Sequence, residues 1–160
     1  MTVSKGDVIH HHQHGIGTVQ SIRKRSFSGP DGSRFAKLFF PRNEMTMMVR
    51  EDDLGDSVRK PIAKNTANKV LAHIDGWEET VSDQWKTRAN ALQVKLDDGG
   101  PFALAEVYKT LRVRQAEDNL SAADRRQLSQ AEARLSEELS MALGTPPAKV
   151  LKSLEASALN

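Results

Sequence analysis

The sequence predicts an α+β fold in which a small antiparallel β-module is followed by an all-helical bundle. Up to about residue 60, short runs rich in Val, Ile, Phe and Thr alternate with Gly, Pro and Asn. Beyond that point the composition shifts to Ala, Leu, Gln, Arg and Glu, and apolar residues recur at three- and four-residue spacing. We therefore predict two domains, 1–58 and 59–160.

Turn residues divide the first domain into β-prone runs. Gly15 and Gly17 bracket Ile16 and suit a tight turn with positive φ, whereas residues 28–32 suit a longer hairpin loop. These features predict a small twisted antiparallel sheet, with a barrel as the closed alternative. The predicted strands are VIHHH (8–12), GTVQSIRKRSF (17–27), RFAKLFF (34–40) and MTMMVR (45–50).

Helix signals divide the second domain. Gly76, the Gly99-Gly100 pair and Gly144 suit helix ends, and Pro101 suits a first turn. Ser121 and Asp124 have the spacing of a capping box, and Thr145 before two prolines suits an N-cap. The predicted helices are 62–74, 81–98, 101–119, a fourth from Ser121 to about residue 142, and a short terminal helix after Thr145.

Composition limits the classes of function. The chain has 160 residues, no Cys and a formal net charge of +2, so disulfides, Cys-ligated zinc and thiol catalysis are excluded. The charge is too small for a protein that coats nucleic acid unaided. No phosphate loop, dinucleotide fingerprint, nucleophile elbow or zincin helix occurs, so we predict no enzymatic activity and no cofactor. The N-terminus lacks an apolar signal core, and we expect a cytoplasmic protein.

The sequence His10-His11-His12-Gln13-His14 is the one cluster with metal-binding chemistry. His10, His12 and His14 would converge on one face only if this segment were an extended strand, and the adjacent Gly15 favours a turn. We therefore predict no metal site, and a metal-responsive sheet is the alternative.

Trp85 lies among cations on the second predicted helix, with Lys86, Arg88 and Lys95. An exposed aromatic at a helix start can act as a wedge against a base step while the cations contact phosphates. Alternatively, Trp85 belongs to an apolar stripe with Val81 and Ala89 at four-residue spacing, and this spacing alone favours a buried Trp85.

Motifs in both predicted domains match one known family in order and spacing. The matching residues are Gly6-Asp7-Val8-Ile9, His14-Gly15-Ile16-Gly17-Thr18-Val19, Ile22, Trp85-Lys86-Thr87-Arg88, Ala105-Glu106-Val107, Leu111, Arg114, Leu120-Ser121, Asp124-Arg125-Arg126, Ala131, Leu135 and Glu138. On these residues the chain resembles the CarD/CdnL family of bacterial RNA polymerase-binding regulators, whose N-terminal module is shared with the transcription-repair coupling factor. The resemblance spans nearly the whole chain. Met48 departs from it, because close relatives carry Arg there.

This resemblance implies a Tudor-like N-terminal domain whose exposed strand pairs with the β subunit of RNA polymerase, which is β-augmentation. The implied docking residues are Arg25, Thr46, Met47, Met48 and Val49. It also implies that the helical domain reaches the upstream edge of the transcription bubble.

There, the family's tryptophan corresponds to Trp85 and wedges into the minor groove of promoter DNA. Lys86, Arg88 and Lys95 would contact the DNA backbone, and the bound factor would stabilise the open complex. We expect a monomer associated with the nucleoid through polymerase. A free-standing architectural or adaptor protein that acts without polymerase is the alternative.

Overall fold

A computed structural model describes residues 1–25 and 32–160 and divides them into two compact units, Met1–Pro61 and Ile62–Asn160. The side chain of Arg25 and most of the hairpin loop predicted at 28–32 lie outside the described residues. The architecture is α+β, as predicted, with an antiparallel sheet followed by helices. No helix in the described part of the chain is long and apolar enough to cross a bilayer.

The first unit is a five-stranded antiparallel sheet with the strand order β4-β3-β2-β1-β5. A 3₁₀-helix, Glu51–Asp56, joins β4 to β5 and buries Leu54. The sequence patterns missed this helix and β5, which is only two residues long and too short to show an alternation. The strands are β1 Val8–His11, β2 Gly15–Arg25, β3 Ser33–Phe40, β4 Met45–Arg50 and β5 Val58–Arg59.

The two faces of this sheet differ because side chains alternate along each strand. On β3, Ala36, Leu38 and Phe40 are fully buried in a core with Ile9 and Val19. The intervening residues of β3 face outward and are partly or fully exposed. The sheet therefore has one buried apolar face and one partly exposed face, as is common for an antiparallel sheet.

The turn between β1 and β2 uses its two glycines for different reasons. Gly15 has φ +77°, which confirms the predicted positive φ at this position. The same prediction was wrong for Gly17, which lies within β2. A Cβ at Gly17 would come 2.7 Å from the ring of Phe40, so the glycine is needed for close packing.

Five helices form the second unit. Their buried apolar residues, such as Leu92, Tyr108 and Leu135, make one continuous core. Ser121 and Asp124 form the predicted capping box at the start of α4. The helices are α1 Lys64–Gly76, α2 Trp85–Asp98, α3 Pro101–Ala116, α4 Ala122–Leu143 and α5 Pro147–Leu159.

Two predicted helix starts were wrong. The second helix begins at Trp85 rather than near residue 81, because the Gln84 backbone N–H donates to the Ser82 hydroxyl in a local turn that competes with helix. Thr145 does not cap α5. Its backbone N–H instead donates to the Ser140 carbonyl at the end of α4, and Pro146 precedes α5.

Candidate functional site

Strand β4 is one edge of the sheet, and within the described residues it pairs only with β3. Met47 and Val49 pack against the apolar core, whereas Thr46 and Met48 face outward and Met48 is 41% exposed. The alternation expected for this strand is therefore present. An incoming strand would contact the side chains of Thr46 and Met48, and it would reach Met47 and Val49 only through their backbone.

Trp85 is the first residue of α2, and 50% of its surface is exposed. The buried interpretation favoured by spacing was wrong, because Val81 lies outside the helix and the stripe does not extend that far. Lys86 places its ammonium 5.6 Å from the centroid of the Trp85 ring. This pair presents an apolar ring and a cation together at one helix end.

Arg88, one turn after Trp85, is 3% exposed. Its Nε and Nη2 donate to the two carboxylate oxygens of Asp124 at 3.0 and 2.6 Å, and Nη1 donates to the Ser82 carbonyl at 2.8 Å. The buried guanidinium uses these donors inside the protein, and this argues against the phosphate contact predicted for Arg88. Arg88 instead fixes the first turn of α2 to the start of α4.

Asp124 receives hydrogen bonds from three sources. Burial alone would raise the pKa of its carboxyl. The hydrogen bonds from the Arg88 side chain and from the backbone and side chain of Ser121 outweigh burial and lower the pKa. The carboxylate thus stays ionised while it is fully buried. The first turns of α2 and α4 are held together by a charged pair with several hydrogen bonds.

Further along, α4 also holds the middle and end of α2. The Gln127 amide donates to the Ala89 carbonyl at 2.9 Å, and Arg134 donates to the Leu96 carbonyl at 3.3 Å. Leu92 and Leu96 bury the apolar side of the same contact. Because α2 is fixed along its length, the exposed ring of Trp85 projects from a rigid support.

Lys95 lies among carboxylates. Its ammonium is 2.8 Å from Glu79 and 3.1 Å from Glu106, and it lies 4.8 Å from the centroid of the Trp77 ring. Burial lowers the pKa of Lys95, but the hydrogen bonds to Glu79 and Glu106 outweigh burial and raise the pKa. Its charge is compensated within the helical unit, so its predicted phosphate contact would require both ion pairs to break.

Arg125 and Arg126 were not among the candidates that sequence reasoning selected. Both are exposed in the first turn of α4, directly after Asp124. Cations near a helix N-terminus interact unfavourably with the positive end of the helix dipole. This placement is the sequence signal by which the two arginines could have been identified as candidates for a functional role. Because Asp124 contacts Arg88, the start of α4, which carries these two arginines, lies next to the start of α2, which carries Trp85 and Lys86.

The histidine cluster stabilises the turn between β1 and β2. His10 and His11 are buried, and Nδ1 of His11 accepts from the backbone N–H groups of Gln13 and His14 at 3.1 and 3.3 Å. The rings of His11 and His14 both pack on Phe40. Among the described residues, no group of three His, Cys, Asp or Glu side chains is arranged to hold a metal ion.

The chain was compared with models of known protein families. A family model described as "CarD, C-terminal domain" matches residues 69–155. The match covers more than half of the chain and includes α2, α3 and α4 in full. The exposed tryptophan, its buried arginine support and the arginine pair on α4 all lie within the matched region.

Proposed function

Because the chain belongs to the CarD family, whose members are regulators of transcription associated with RNA polymerase, we propose that it binds the polymerase β subunit and stabilises the open promoter complex. The edge of β4 is the docking strand in this proposal. Trp85 is the residue that contacts promoter DNA, in the minor groove at the upstream edge of the bubble.

One observation carries the DNA part of this proposal: a half-exposed tryptophan at the first turn of a helix that is anchored by a buried ion pair. A large apolar ring left in water costs free energy unless it has a partner. An unstacked base step offers such a partner, since apolar wedges insert where the duplex is already bent or melted. Trp85 would therefore bind the open promoter better than the closed duplex.

The cations around Trp85 divide into two roles. Lys86, Arg125 and Arg126 are exposed and are the cations suited to contact phosphates. Arg88 is a positioning residue, because it holds the first turn of α2 through Asp124 and does not reach solvent. This set replaces the one predicted from sequence, in which Arg88 and Lys95 contacted the DNA backbone.

Tethering to polymerase supplies the affinity that the charge of the chain does not. The net charge of +2 gives little binding to free duplex DNA. A factor docked on polymerase meets the promoter at a high effective concentration, so modest contacts suffice. It then shifts the equilibrium between closed and open complexes by its differential affinity for the two.

The edge position of the docking strand β4 is suited to β-augmentation. Among the described residues, one edge of β4 pairs with β3 and the other edge has no strand beside it, so its backbone groups can pair with an added strand. Thr46 and Met48 would lie beside the outward side chains of that strand. Met48 takes the place of an expected arginine, so apolar contact replaces a polar one at this point.

A binding experiment with purified β subunit tests the docking strand. We expect Met48→Glu to weaken binding by about tenfold or more, because a charged side chain on an edge strand opposes pairing. Met141→Glu is the matched control, since Met141 is 48% exposed on α4 and far from the strand in sequence. Met47→Glu is unsuitable because Met47 packs on the core.

The outcomes separate the alternatives. Loss of binding in Met48→Glu with full binding in Met141→Glu would support docking through β4. Equal binding by both variants and the parent chain would place the contact elsewhere. Absence of binding by the parent chain would contradict the proposal and favour a free-standing adaptor.

A further inference from the structure

The three-stranded part of the sheet formed by β2, β3 and β4 is strongly basic. Strands Gly15–Arg25, Ser33–Phe40 and Met45–Arg50 contain no Asp or Glu. In a chain with a net charge of only +2, these strands concentrate positive charge in one place. Their basic residues are Arg23, Lys24, Arg25, Arg34, Lys37 and Arg50.

The strand register arranges part of this charge around two aromatic rings. Burial alternates along β3, so Phe35, Lys37 and Phe39 face outward while their neighbours face the core. Each outward residue of β3 has one partner on β2 and one on β4. These residues define the basic face, in three rows: Arg23–Phe35–Arg50, Ser21–Lys37–Met48 and Thr18–Phe39–Thr46.

The basic face has the components of a surface for single-stranded nucleic acid. Phe35 and Phe39 are partly exposed and, at about 3.3 Å per residue, lie roughly 13 Å apart along β3, with Lys37 between them. Bases stack on aromatic rings of this kind, while cations on either side neutralise the phosphates. We propose that the basic face binds single-stranded nucleic acid without sequence preference.

An acidic protein partner would account for fewer features of the basic face than single-stranded nucleic acid does. Such a partner would use Arg23, Lys37 and Arg50, but it has no need of aromatic rings that alternate with the cations. Unstacked bases use both. The proposal does not depend on polymerase docking, because an added strand pairs with the edge of β4, whereas Lys37 and Phe39 lie on the neighbouring strand β3.

The test is fluorescence anisotropy of a dye-labelled oligothymidylate of about 15 nucleotides, a length suited to one small binding surface. The full-length chain is titrated at low salt without polymerase. Lys37→Glu, which reverses the central charge, is compared with Lys149→Glu, the same charge change at an exposed site in α5. Phe39→Leu removes the ring and keeps an apolar side chain, and thermal unfolding checks that every variant is folded.

We expect Lys37→Glu and Phe39→Leu each to weaken binding by about tenfold, and Lys37→Glu to flatten the salt dependence, while Lys149→Glu changes affinity less than about twofold. Loss of binding in Trp85→Ala with full binding in Lys37→Glu would overturn the proposal by assigning the contact to the helical unit. Equal affinity for duplex of the same length would overturn base stacking. Displacement of the oligonucleotide by oligoglutamate at matched charge would show an acidic-protein surface instead.

Discussion

At the scale of single residues, Trp85 combines exposure with rigid support. Half of its surface is in water, while the residue one turn later is fixed by a bidentate ion pair. Burying about 100 Å² of ring at about 25 cal/mol per Å² yields roughly 2.5 kcal/mol. Part of that gain is spent on unstacking when the base step is not already open. In the proposed function, the ring would therefore discriminate between melted and closed promoter DNA.

We expect Trp85→Ala to shorten the lifetime of the open promoter complex that the factor stabilises by about tenfold, because the wedge is lost. Binding to the β subunit should be unchanged, since β4 lies in the other unit. The free energy of unfolding should change by less than about 0.5 kcal/mol, as expected for an exposed site. Open-complex lifetimes with a heparin challenge, together with urea unfolding, measure both effects. A large loss of stability would mean that Trp85 is a core residue.

At the scale of secondary-structure elements, α2 is positioned by α4. Asp124, Gln127 and Arg134 bond in turn to the start, middle and end of α2. The first of these contacts is the ion pair between Arg88 and Asp124, in which the Asp124 side chain is fully buried. Removing one partner of such a pair leaves a buried charge uncompensated, which costs more than the pair itself contributes.

We expect Asp124→Asn to lower the free energy of unfolding by about 3 kcal/mol at neutral pH, since it leaves Arg88 buried without its counter-charge. Replacing both residues, as Arg88→Met with Asp124→Leu, should recover part of that loss. Urea unfolding of the two variants and the parent chain gives the comparison. A double variant less stable than Asp124→Asn would contradict this account of the pair.

The lowered pKa of Asp124 also predicts a pH dependence. The unfolded chain protonates this carboxyl near its ordinary value of about 3.9, at a higher pH than the folded chain does. The stabilisation is therefore complete above that pH and is lost as the pH falls through the lowered folded pKa. Between these values the free energy of unfolding of the parent should rise with pH more steeply than that of Asp124→Asn. Parallel slopes would show that the carboxyl is not coupled to folding.

At the scale of the whole molecule, the two units have separate tasks in the proposed function. The sheet unit supplies attachment to polymerase, and the helical unit supplies the contact with DNA. Attachment raises the effective concentration of the helical unit at the promoter, and this can increase apparent affinity by about 100-fold or more. Defects in the two units should then differ in their response to protein concentration.

We expect a high concentration of Met48→Glu to restore open-complex stabilisation, because this variant has lost occupancy but keeps Trp85. No concentration of Trp85→Ala should do so, because its bound state lacks the wedge. Titrations of both variants in a promoter-opening assay at fixed polymerase make the comparison. The idea fails if Met48→Glu reaches a plateau as low as that of Trp85→Ala.

Local patterns in the sequence were sufficient for the order and type of most elements. Turn residues and β-prone runs located the first four strands, and the Ser121 capping box located the start of α4, because these signals act within a few residues. Resemblance to a known family directed attention to Trp85 and to the strand at Met48. A strand of only two residues, such as β5, has no comparable local signal in the sequence that would predict it.

Long-range contacts decided which of the candidate residues are available to a partner. Arg88 and Lys86 are both cations near Trp85, but Arg88 is buried because Asp124, distant in sequence, meets it across two helices. Spacing placed Trp85 in an apolar stripe, and only the late start of α2 left it exposed. Periodicity specifies which residues share a face of a helix, whereas the packing of other elements determines which face is covered.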